Sequence, residues 1–577
     1  MATDATLTVA YFSMEICLEQ DVPTYSGGLG VLAGDTLRSA ADLRLPVVGI
    51  TLAHRHGYFR QHLELDGTQV ESEATWDPAA RLPAVPHTVT VQVEGRPVKV
   101  RAWRYDVRGV SDHVVPVYLL DTDLPENDAY DRALTDTLYG GDTRYRLCQE
   151  VVLGIGGAML LEQLGLGFDA GTQHHINEGH AALLCLHLLD RQLAGRSHWE
   201  ARVGDVEAVA RRCIFTTHTP VPAGHDKFAM ELTRTVLAEK VALLDTLELW
   251  EGTELNMTRL ALRCSRFING VAMRHQEVSQ EMFPEFPIGA ITNGVHATTW
   301  TSEPFRRLFD KHIPEWRRDN LYLRYAITIP LDEIREAHRE AKAAMLAEVA
   351  RRTGRTLDPN VFTLAFARRA TPYKRADLIF SDLDRLRSIV RQVGPLQIVY
   401  GGKAHPKDEW GKILIKKIHD AAKALDGALN VVYVENYEMT LGGLLTSGAD
   451  VWLNNPMRPL EASGTSGMKS ALNGVPSLSV LDGWWIEGCV EGSTGWAIGP
   501  DTQLAAAADG DVSELYYKLE RVVLPLYYGL PFKWAEMQRN AIALNGSFFN
   551  TQRMVTQYLT NAYLPGAGAS ALIETAK

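Results

Sequence analysis

The sequence predicts an α/β fold of two doubly wound, Rossmann-like domains that face a central cleft. Three observations predict it. Apolar segments alternate with helical segments along most of the chain, as in parallel sheets covered by helices. In the second half these apolar segments are almost continuously hydrophobic, as in strands buried on both faces. A charged segment with a helical apolar stripe, residues 331–354, separates two such series.

The first series begins with the strand 7–13, a glycine turn, the helix 31–43 and the strand 47–53. Residues 87–120 depart from this pattern because apolar and polar residues alternate there. Turn residues lie at Glu94 to Arg96, so we expect a β-hairpin inserted on the first domain. Helices and strands then alternate again.

Further strands are predicted at 213–219 and 288–295, before the charged helix. We expect a hinge near residues 296–330. The strands of the second series are 361–367, 396–402, 429–435, 450–455 and 476–482. The apolar stripe of the charged helix consists of Ile334, Ala337, Ala341, Met345 and Val349. Residues 504–511 are predicted to be a small-residue loop, and the tail after Pro565 is expected to fray.

These elements suggest three parts. Residues 1–300 form an N-terminal Rossmann-like domain with the inserted hairpin, and residues 301–545 form a C-terminal Rossmann-like domain. Residues 546–577 are expected to form a helix that packs back on the N-terminal domain. Ligands of open parallel sheets bind beyond the carboxyl ends of the strands. We therefore expect the functional site in the cleft between the two domains.

Composition excludes several functional classes. The 577 residues are 46% hydrophobic and 22% charged, with a formal net charge of −12. This charge argues against bulk binding to nucleic acid or to an anionic membrane. The six cysteines are scattered without a C-x-x-C pair, which favours reduced thiols and a cytoplasmic location. We find neither a signal peptide nor an apolar run approaching the length of a membrane span.

A cluster of cations, "ARRATPYKRA" at 367–376, follows a predicted strand directly. Arg368, Arg369, Lys374 and Arg375 lie within eight residues without an acid among them. Cations at the start of a helix are unfavourable without an anion, and arginine binds phosphate through two hydrogen bonds. The cluster therefore suggests a phosphate site, with a solvated helix start as the alternative.

The segment "EASGTSGMKSALNGVPSLSVLDG" places Lys469 behind a loop of Ser, Gly and Thr. A cation in the opening turn of a helix faces the positive end of the helix dipole. A lysine that forms a Schiff base with an aldehyde cofactor loses that charge. Pyridoxal phosphate carries both an aldehyde and a phosphate, so it accounts for Lys469 and for the cation cluster together.

Other motifs are less specific. "SGGLG" at 26–30 suits close approach of backbone amides to an anion, and a plain tight turn equally well. "HHINEGH" at 174–180 lacks a familiar metal-ligand spacing, so no metal site is predicted. His218 is either functional or a satisfied structural histidine. Asn293 is either a reader of hydroxyl groups or a turn residue.

Taken together, these motifs resemble the α-glucan phosphorylase family of glycogen and maltodextrin phosphorylases, in its short bacterial form. The resemblance covers nearly the whole chain, through "YFSMEI", "GGLG", "INEGH", "TTHT", "TNGV", "RRATPYKR", "GGKAHP", "ENYEM" and "EASGTSGMK" followed by "ALNG". It implies the glycogen phosphorylase-type glycosyltransferase fold and a pyridoxal phosphate cofactor. The implied reaction moves glucose from the end of an α-1,4-glucan (glycogen or maltodextrin) to inorganic phosphate, giving glucose 1-phosphate with retained configuration.

The resemblance also implies roles for individual residues. The implied catalytic residues are Arg369, Lys374, Lys469, Gly28 and His218. The implied cofactor-binding residues are Lys469, which carries the cofactor, together with Gly464, Thr465, Gly467, Arg368, Lys374, Trp300 and Tyr437. The implied contacts to the transferred glucose and its pocket are Glu461, Asn293, Tyr373, His180 and His218.

Some features depart from the family pattern. Arg368 stands where the longer enzymes commonly have lysine, and residues 370–372 replace a more polar stretch. The chain starts almost at the first strand, so we expect the allosteric N-terminal segment of the animal enzymes to be absent. A homo-oligomer is left open.

The main alternative is a nucleotide-sugar-dependent α-glucan synthase of the same fold. Synthases usually have a lysine just before the first "GGL", where this chain has Ser26, and they lack an equivalent of Lys469. An aminotransferase is disfavoured by the tandem α/β organisation. A non-catalytic glucan-binding protein would not need the cation cluster and Lys469 together.

Overall fold

The computed structural model describes residues 7–499 and 508–564. Its strands are β1 Val9–Ser13, β2 Val47–Leu52, β3 Arg60–Leu63, β4 Gln69–Ser72, β5 Ala84–Val93, β6 Arg96–Arg108, β7 Val114–Asp121, β8 Gln173–Asn177, β9 Cys213–Thr216, β10 Lys227–Ala229, β11 Glu254–Asn256, β12 Phe267–Gly270, β13 Gly289–Ala290, β14 Phe362–Ala367, β15 Leu396–Gly401, β16 Asn430–Val434, β17 Val451–Asn454, β18 Ser477–Val480 and β19 Gly495–Ile498.

The α-helices are α1 Gly28–Asp42, α2 Ala129–Arg132, α3 Thr143–Val151, α4 Gly157–Gln163, α5 Leu184–Leu193, α6 Val203–Ala210, α7 Met230–Leu237, α8 Val241–Thr246, α9 Met257–Arg263, α10 Met273–Met282, α11 Ala297–Trp300, α12 Glu303–His312, α13 Leu331–Thr353, α14 Leu383–Gln392, α15 Glu409–Ala424, α16 Met439–Gly448, α17 Ser466–Leu472, α18 Trp485–Gly488, α19 Ala508–Lys518, α20 Leu524–Gly529, α21 Pro531–Asn540 and α22 Thr551–Tyr558. Short π-helical segments lie at Val152–Gly156, Leu519–Val523, Ala541–Gly546 and Leu559–Tyr563.

The larger sheet has the strand order β13-β12-β9-β8-β1-β2-β7-β6-β5. Its strands are parallel from β13 to β7, and β6 and β5 add an antiparallel edge. The predicted hairpin is confirmed. Its turn residues Glu94 and Gly95 both have positive φ, at 53° and 73°. Such a turn matches the right-handed twist of the strands it joins.

The second sheet is parallel throughout, with the order β16-β15-β14-β17-β18-β19. The five strands predicted for the second series are confirmed, each within two residues at its ends. The sequence reading missed β19 and, in the first sheet, β12.

The charged helix is confirmed as α13, which ends at Thr353. All five residues of its apolar stripe are buried. It packs on α12 and on α16. Two polar residues of the same helix are buried as well, because His338 and Lys342 contact Asp450 at 3.0 Å and 2.6 Å. The helix is therefore anchored to the second sheet by apolar packing and by a buried ion pair.

The chain returns to the first sheet near its end. Met554, Val555 and Tyr558 of α22 share a hydrophobic cluster with residues of β1 and α1. The Tyr563 hydroxyl lies 2.7 Å from Nδ1 of His175 on β8. The predicted tail after Pro565 and residues 504–507 of the predicted loop lie outside the described residues. Residues 508–511 begin α19, so that part of the loop prediction is wrong.

None of the helices in the described ranges combines the length and apolar character needed to cross a membrane.

Candidate active site

A cavity of about 540 Å³ lies where loops from both sheets meet. Its walls come from the start of α1 and from the segments that follow β9, β13, β14, β15 and β16, with the turn before α17 and α17 itself closing one side. Most of these segments leave the carboxyl end of a parallel strand. The cavity thus lies where ligands of parallel sheets bind.

Most residues singled out in the sequence line this cavity. They are Gly28, His218, Asn293, Trp300, Arg368, Arg369, Tyr373, Lys374, Tyr437, Glu461, Gly464, Thr465 and Lys469.

Two predicted residues are not part of the cavity wall. A Cβ atom at Gly467 would lie 2.7 Å from the Trp484 ring, so this glycine lets α17 approach a buried tryptophan. Nε2 of His180 lies 3.5 Å from the Asp226 carboxylate. We therefore assign Gly467 a packing function, and His180 faces Asp226 rather than the cavity.

The cavity is strongly cationic although the whole chain is acidic. Among the described residues that line it, the cationic ones are Arg368, Arg369, Lys374, Lys403 and Lys469, against the carboxylates of Glu438 and Glu461. Glu438 is bound by Arg352 at 2.6 Å and caps α16. The excess positive charge makes the cavity a site for anions.

Lys469 lies in the middle of α17, which has only seven residues. The prediction that Lys469 lies in the opening turn of a helix is wrong, because it is the fourth residue of this short helix and belongs to its last turn. Burial is what makes this lysine unusual. Its Nζ lies 3.6 Å from the centroid of the Trp300 ring, and within the described ranges it has no hydrogen bond or ion pair. Burial lowers the pKa of Lys469 to about 8, with Asp35 opposing the shift. About a tenth of the amine is thus uncharged at pH 7 and available as a nucleophile, far more than for an exposed lysine.

Arg368, Lys374 and Glu461 form a buried ion triad. One Glu461 oxygen lies 2.7 Å from Arg368 Nη1 and 2.5 Å from Lys374 Nζ. Burial opposes the charge of Glu461, yet the two cations lower its pKa to about 2. Burial and Arg368 lower the pKa of Lys374 to about 7, with Glu461 opposing. The ammonium of Lys374 also lies 4.4 Å from the Tyr373 ring centroid.

Arg369 differs from the other members of the cation cluster. Its side chain is exposed and, within the described ranges, its guanidinium has no hydrogen bond or ion pair. It runs beside the start of α1, since a Cβ atom at Gly27 would lie 3.6 Å from Arg369 Cδ. An unpaired guanidinium in a cationic cavity is suited to a bidentate grip on phosphate.

The fourth member of the cluster, Arg375, lies outside the cavity. Its guanidinium binds Asp511 at 2.7 Å and the carbonyls of Asn455 and Pro456 at 2.8 Å each. The segment after β14 is not a helix start either. It contains only two short 3-10 turns, Pro372–Lys374 and Leu378–Phe380, before α14. The alternative of a solvated helix start is therefore wrong, and the cluster divides into site residues and one structural arginine.

The "SGGLG" segment is a tight turn at the start of α1. The Glu15 carboxylate accepts hydrogen bonds from the amides of Ser26 and Gly27, at 2.6 Å and 3.2 Å. A Cβ atom at Gly30 would lie 2.7 Å from that carboxylate, so glycine is required. Gly28 has nothing near its Cβ position and lines the cavity. The sequence analysis did not assign Glu15 a role in this turn, because no residue near it in "SMEI" has a charge that would indicate one.

Three polar groups of the cavity wall suit a polyhydroxylated ligand. Asn293 Oδ1 and Ser463 Oγ are buried without a hydrogen-bond partner in the described part of the chain. Buried polar atoms that lack a protein partner are costly unless a ligand or water binds them. Burial lowers the pKa of His218 to about 4, so its ring is neutral at neutral pH, and Nε2 lies 2.7 Å from Asn177 Oδ1.

The sequence profile of the carbohydrate phosphorylase family matches residues 11–129 and 223–492, which is about two thirds of the chain. This chain belongs to the carbohydrate phosphorylase family. A maltodextrin phosphorylase of Thermococcus litoralis is 38% identical over 610 positions, covering 98% of this chain and 72% of the relative. Glycogen phosphorylases of Aquifex aeolicus and Mycobacterium tuberculosis are each 35% identical, covering 96% and 97% of this chain and 86% and 71% of those proteins. The family resemblance predicted from the motifs is thus confirmed.

In this carbohydrate phosphorylase, both matched segments contribute to the cavity. The N-terminal match contains the turn at 26–30, and the C-terminal match contains the cation cluster and Lys469. The mixed α/β fold with parallel sheets agrees with family membership.

Proposed function

We propose that this carbohydrate phosphorylase is an α-glucan phosphorylase that depends on pyridoxal phosphate. It catalyses the reversible phosphorolysis of non-reducing ends of glycogen or maltodextrin to α-D-glucose 1-phosphate, with retention. The names of its relatives support this substrate class. The observation that carries the proposal is that Lys469 and Arg369 line one cationic cavity and that neither side chain has a hydrogen bond or ion pair with the described residues.

The residues of this cavity fit pyridoxal phosphate. Lys469 is a buried, unpaired amine for the aldehyde, and Trp300 presents a flat apolar face beside it. Gly464 has φ +84°, which lets the chain turn tightly before Thr465. The unpartnered Ser463 hydroxyl lies in the same turn. We assign cofactor binding to Lys469, to the 463–465 turn, to Trp300 and to Tyr437, which also lines the cavity.

When bound, the cofactor supplies a phosphate group whose second ionisation lies near neutral pH and which can therefore share a proton with substrate phosphate. Two phosphates repel each other, so cations must hold them together. Arg369 binds the substrate phosphate. Lys374 and Arg368 stabilise negative charge where the substrate phosphate and the cofactor phosphate meet. When Lys374 is protonated, the triad of Arg368, Lys374 and Glu461 has a net charge of +1 and attracts anions.

The glucosyl unit is held by groups that read hydroxyls. The carboxylate of Glu461 accepts hydrogen bonds, and the amide of Asn293 offers an unpaired oxygen in the same cavity. Neutral His218 and Tyr373 complete this part of the wall. We propose that these contacts orient the sugar and exclude water, which would otherwise compete with phosphate.

Glu461 is unsuited to act as the general acid or the nucleophile of a two-carboxylate retaining mechanism. Its pKa of about 2 keeps it ionised, and two cations engage one of its oxygens. A general acid works best with a pKa near the operating pH. The proton for the leaving glucan oxygen therefore comes from the substrate phosphate, which Arg369 holds in place.

We further propose the domain division expected from the sequence: residues 1–300 and 301–545 as two Rossmann-like domains around the central cleft, with the segment from 546 packed back on the first; of that segment, 565–577 lie outside the described residues. Contacts of α22 with α1 support the last part.

The decisive experiment is to incubate purified protein with maltodextrin and inorganic phosphate and to measure glucose 1-phosphate, alongside the pyridoxal phosphate content. We expect about one cofactor per chain and phosphate-dependent product. Replacing phosphate by a nucleotide-diphosphate glucose tests the synthase alternative. Glucan elongation from that donor, without product from phosphate, would overturn the proposal.

A further inference from the structure

Asp35, on the second turn of α1, is fully buried and lies one residue layer behind the cavity wall. Its Oδ2 accepts hydrogen bonds from the Trp300 indole N–H at 2.7 Å and from the His296 backbone N–H at 3.1 Å. Its other oxygen lies 3.2 Å from Arg38 Nη1. The carboxylate is thus fixed from two sides and in turn fixes the tryptophan.

Trp300 is the residue that contacts Lys469 most directly. The ring face lies 3.6 Å from Nζ, which has no hydrogen bond to any described residue. The two backbones are also tied together, because Asn473 Nδ2 donates to the carbonyls of Trp300 and Lys469, at 2.8 Å and 3.0 Å. A tilt of the indole would therefore remove the one surface against which the lysine rests.

We propose that Asp35 is a positioning residue for cofactor attachment: by holding the Trp300 indole, it keeps the ring face against Lys469 and directs the amine into the cavity. Asp35 does not line the cavity, so it acts through Trp300 rather than by contact with a ligand. This inference rests on the proposed function, because it requires Lys469 to carry pyridoxal phosphate.

The chain provides a matched control on the same helix. Asp42 also has a buried carboxylate, and its Oδ2 lies 2.9 Å from Nε2 of His296. It contacts the segment that leads to Trp300 but not the indole itself. Loss of a buried acid from α1 can therefore be separated from loss of the indole contact.

The test measures how fast pyridoxal phosphate is lost from the holoenzyme during dialysis against a carbonyl-trapping reagent, followed by absorbance. Leucine is similar in shape to aspartate but has no hydrogen-bond acceptor for the indole. We expect Asp35→Leu to release the cofactor at least about tenfold faster than the wild type. Asp35→Asn keeps an acceptor for the indole and should stay within about threefold of the wild type. Asp42→Asn should stay within about twofold.

A double-mutant cycle decides whether Asp35 acts through Trp300. Trp300→Phe keeps a flat ring but has no indole N–H. We expect Asp35→Leu to accelerate cofactor loss by less than about twofold in the Trp300→Phe background, because the contact is already absent. An undiminished effect in that background would overturn the proposal. So would Asp35→Asn releasing the cofactor as fast as Asp35→Leu.

Failure of this inference is distinguishable from failure of the proposed function. Wild-type protein that binds no pyridoxal phosphate contradicts the proposed cofactor. Wild-type protein that binds it, with additive effects of the two substitutions, contradicts only the role of Asp35. If Asp35→Leu does not fold, Asp35→Ala, which also has no side-chain acceptor, replaces it in the same cycle.

Discussion

The hairpin of β3 and β4 and the cavity both lie where segments of the two sheets meet. They differ in whether their buried polar groups have hydrogen-bond partners. In the hairpin, Gln61 accepts a hydrogen bond from the Asn436 amide at 2.9 Å and donates to the Gly402 carbonyl at 2.9 Å. Gln69 pairs with both backbone groups of Ala404, at 2.9 Å and 3.0 Å. Both glutamines are buried.

The cavity wall begins next to these contacts, at Gly402, Lys403 and Tyr437, yet several of its polar groups have no protein partner. Within the described ranges, the unpaired groups include the guanidinium of Arg369 and the amine of Lys469. Paired polar groups favour one arrangement of the chain, whereas unpaired groups in a cavity are costly until a ligand binds. The contrast predicts that substitutions in the hairpin reduce stability, and that substitutions in the cavity reduce binding and catalysis.

The largest expected effect is on function, from Lys469→Ala. We expect activity to fall by about a thousandfold or more, or about 4 kcal/mol, with loss of bound pyridoxal phosphate. Thermal stability of the apoprotein should change little, because Nζ makes no hydrogen bond or ion pair in the part of the chain that the structure describes. Lys342→Ala is the control, since this buried lysine does not line the cavity and pairs with Asp450 at 2.6 Å, so its loss should lower stability and leave cofactor content unchanged. Near-wild-type turnover of Lys469→Ala without added cofactor would refute the assignment.

Arg369→Ala tests whether an unpaired cation serves phosphate. We expect kcat/KM for phosphate to fall by about 3–4 kcal/mol, as when a preorganised charge is removed from a transition state. Cofactor content and unfolding temperature should be kept.

The control for Arg369 is its near neighbour Arg375, which is bound by Asp511 and two carbonyls. Arg375→Ala should lower the free energy of unfolding instead, by about 1–3 kcal/mol. Steady-state kinetics with phosphate varied at saturating maltodextrin, together with denaturant unfolding, separates the two. Equal kinetic losses in both variants would remove the distinction between site and structural arginine.

In the hairpin, Gln61→Ala should lower the free energy of unfolding by about 1–3 kcal/mol, because buried partners are left unpaired. Cofactor content should not change. The matched control is Gln92→Ala on the exposed face of β5, expected to stay within about 0.5 kcal/mol. Urea unfolding followed by circular dichroism measures both. An unchanged stability of Gln61→Ala would show that the hairpin contacts contribute little.

The smallest expected effect concerns pH. The carboxylate of Asp482 accepts the amides of Glu461 and Gly483, each at 2.9 Å. Burial raises its pKa from 3.8 to about 7. The folded state therefore binds more protons than the unfolded state between these values, so this residue's contribution to stability falls as pH rises from about 4 to 7. Asp482→Asn should remove that decline.

We expect the free energy of unfolding of the wild type, relative to Asp482→Asn, to decrease by about 1 kcal/mol or more between pH 5 and 7.5. Denaturant unfolding at the two pH values measures this. A parallel pH dependence in the two proteins would mean that Asp482 titrates normally.

Much of the fold follows from local sequence. The strands of the second sheet were predictable because burial on both faces demands continuous apolar residues, and α13 because its stripe recurs at helical spacing. The β5–β6 turn was predictable from its residues. Lys469 and the glycine turn before it were also found from sequence, since a lysine beside such a loop is unusual.

Tertiary structure determined which hydrogen-bond or ion-pair partner each polar side chain has. Arg369 and Arg375 are alike in local sequence, but among the described residues only Arg375 meets a carboxylate, 136 residues away. Asp35 meets the Trp300 indole 265 residues away, and Gln61 meets Asn436 375 residues away. Hydrophobic periodicity determines which face of an element is buried. It carries no information about which distant carboxylate or amide a buried polar side chain meets, because that depends on how separate elements pack together.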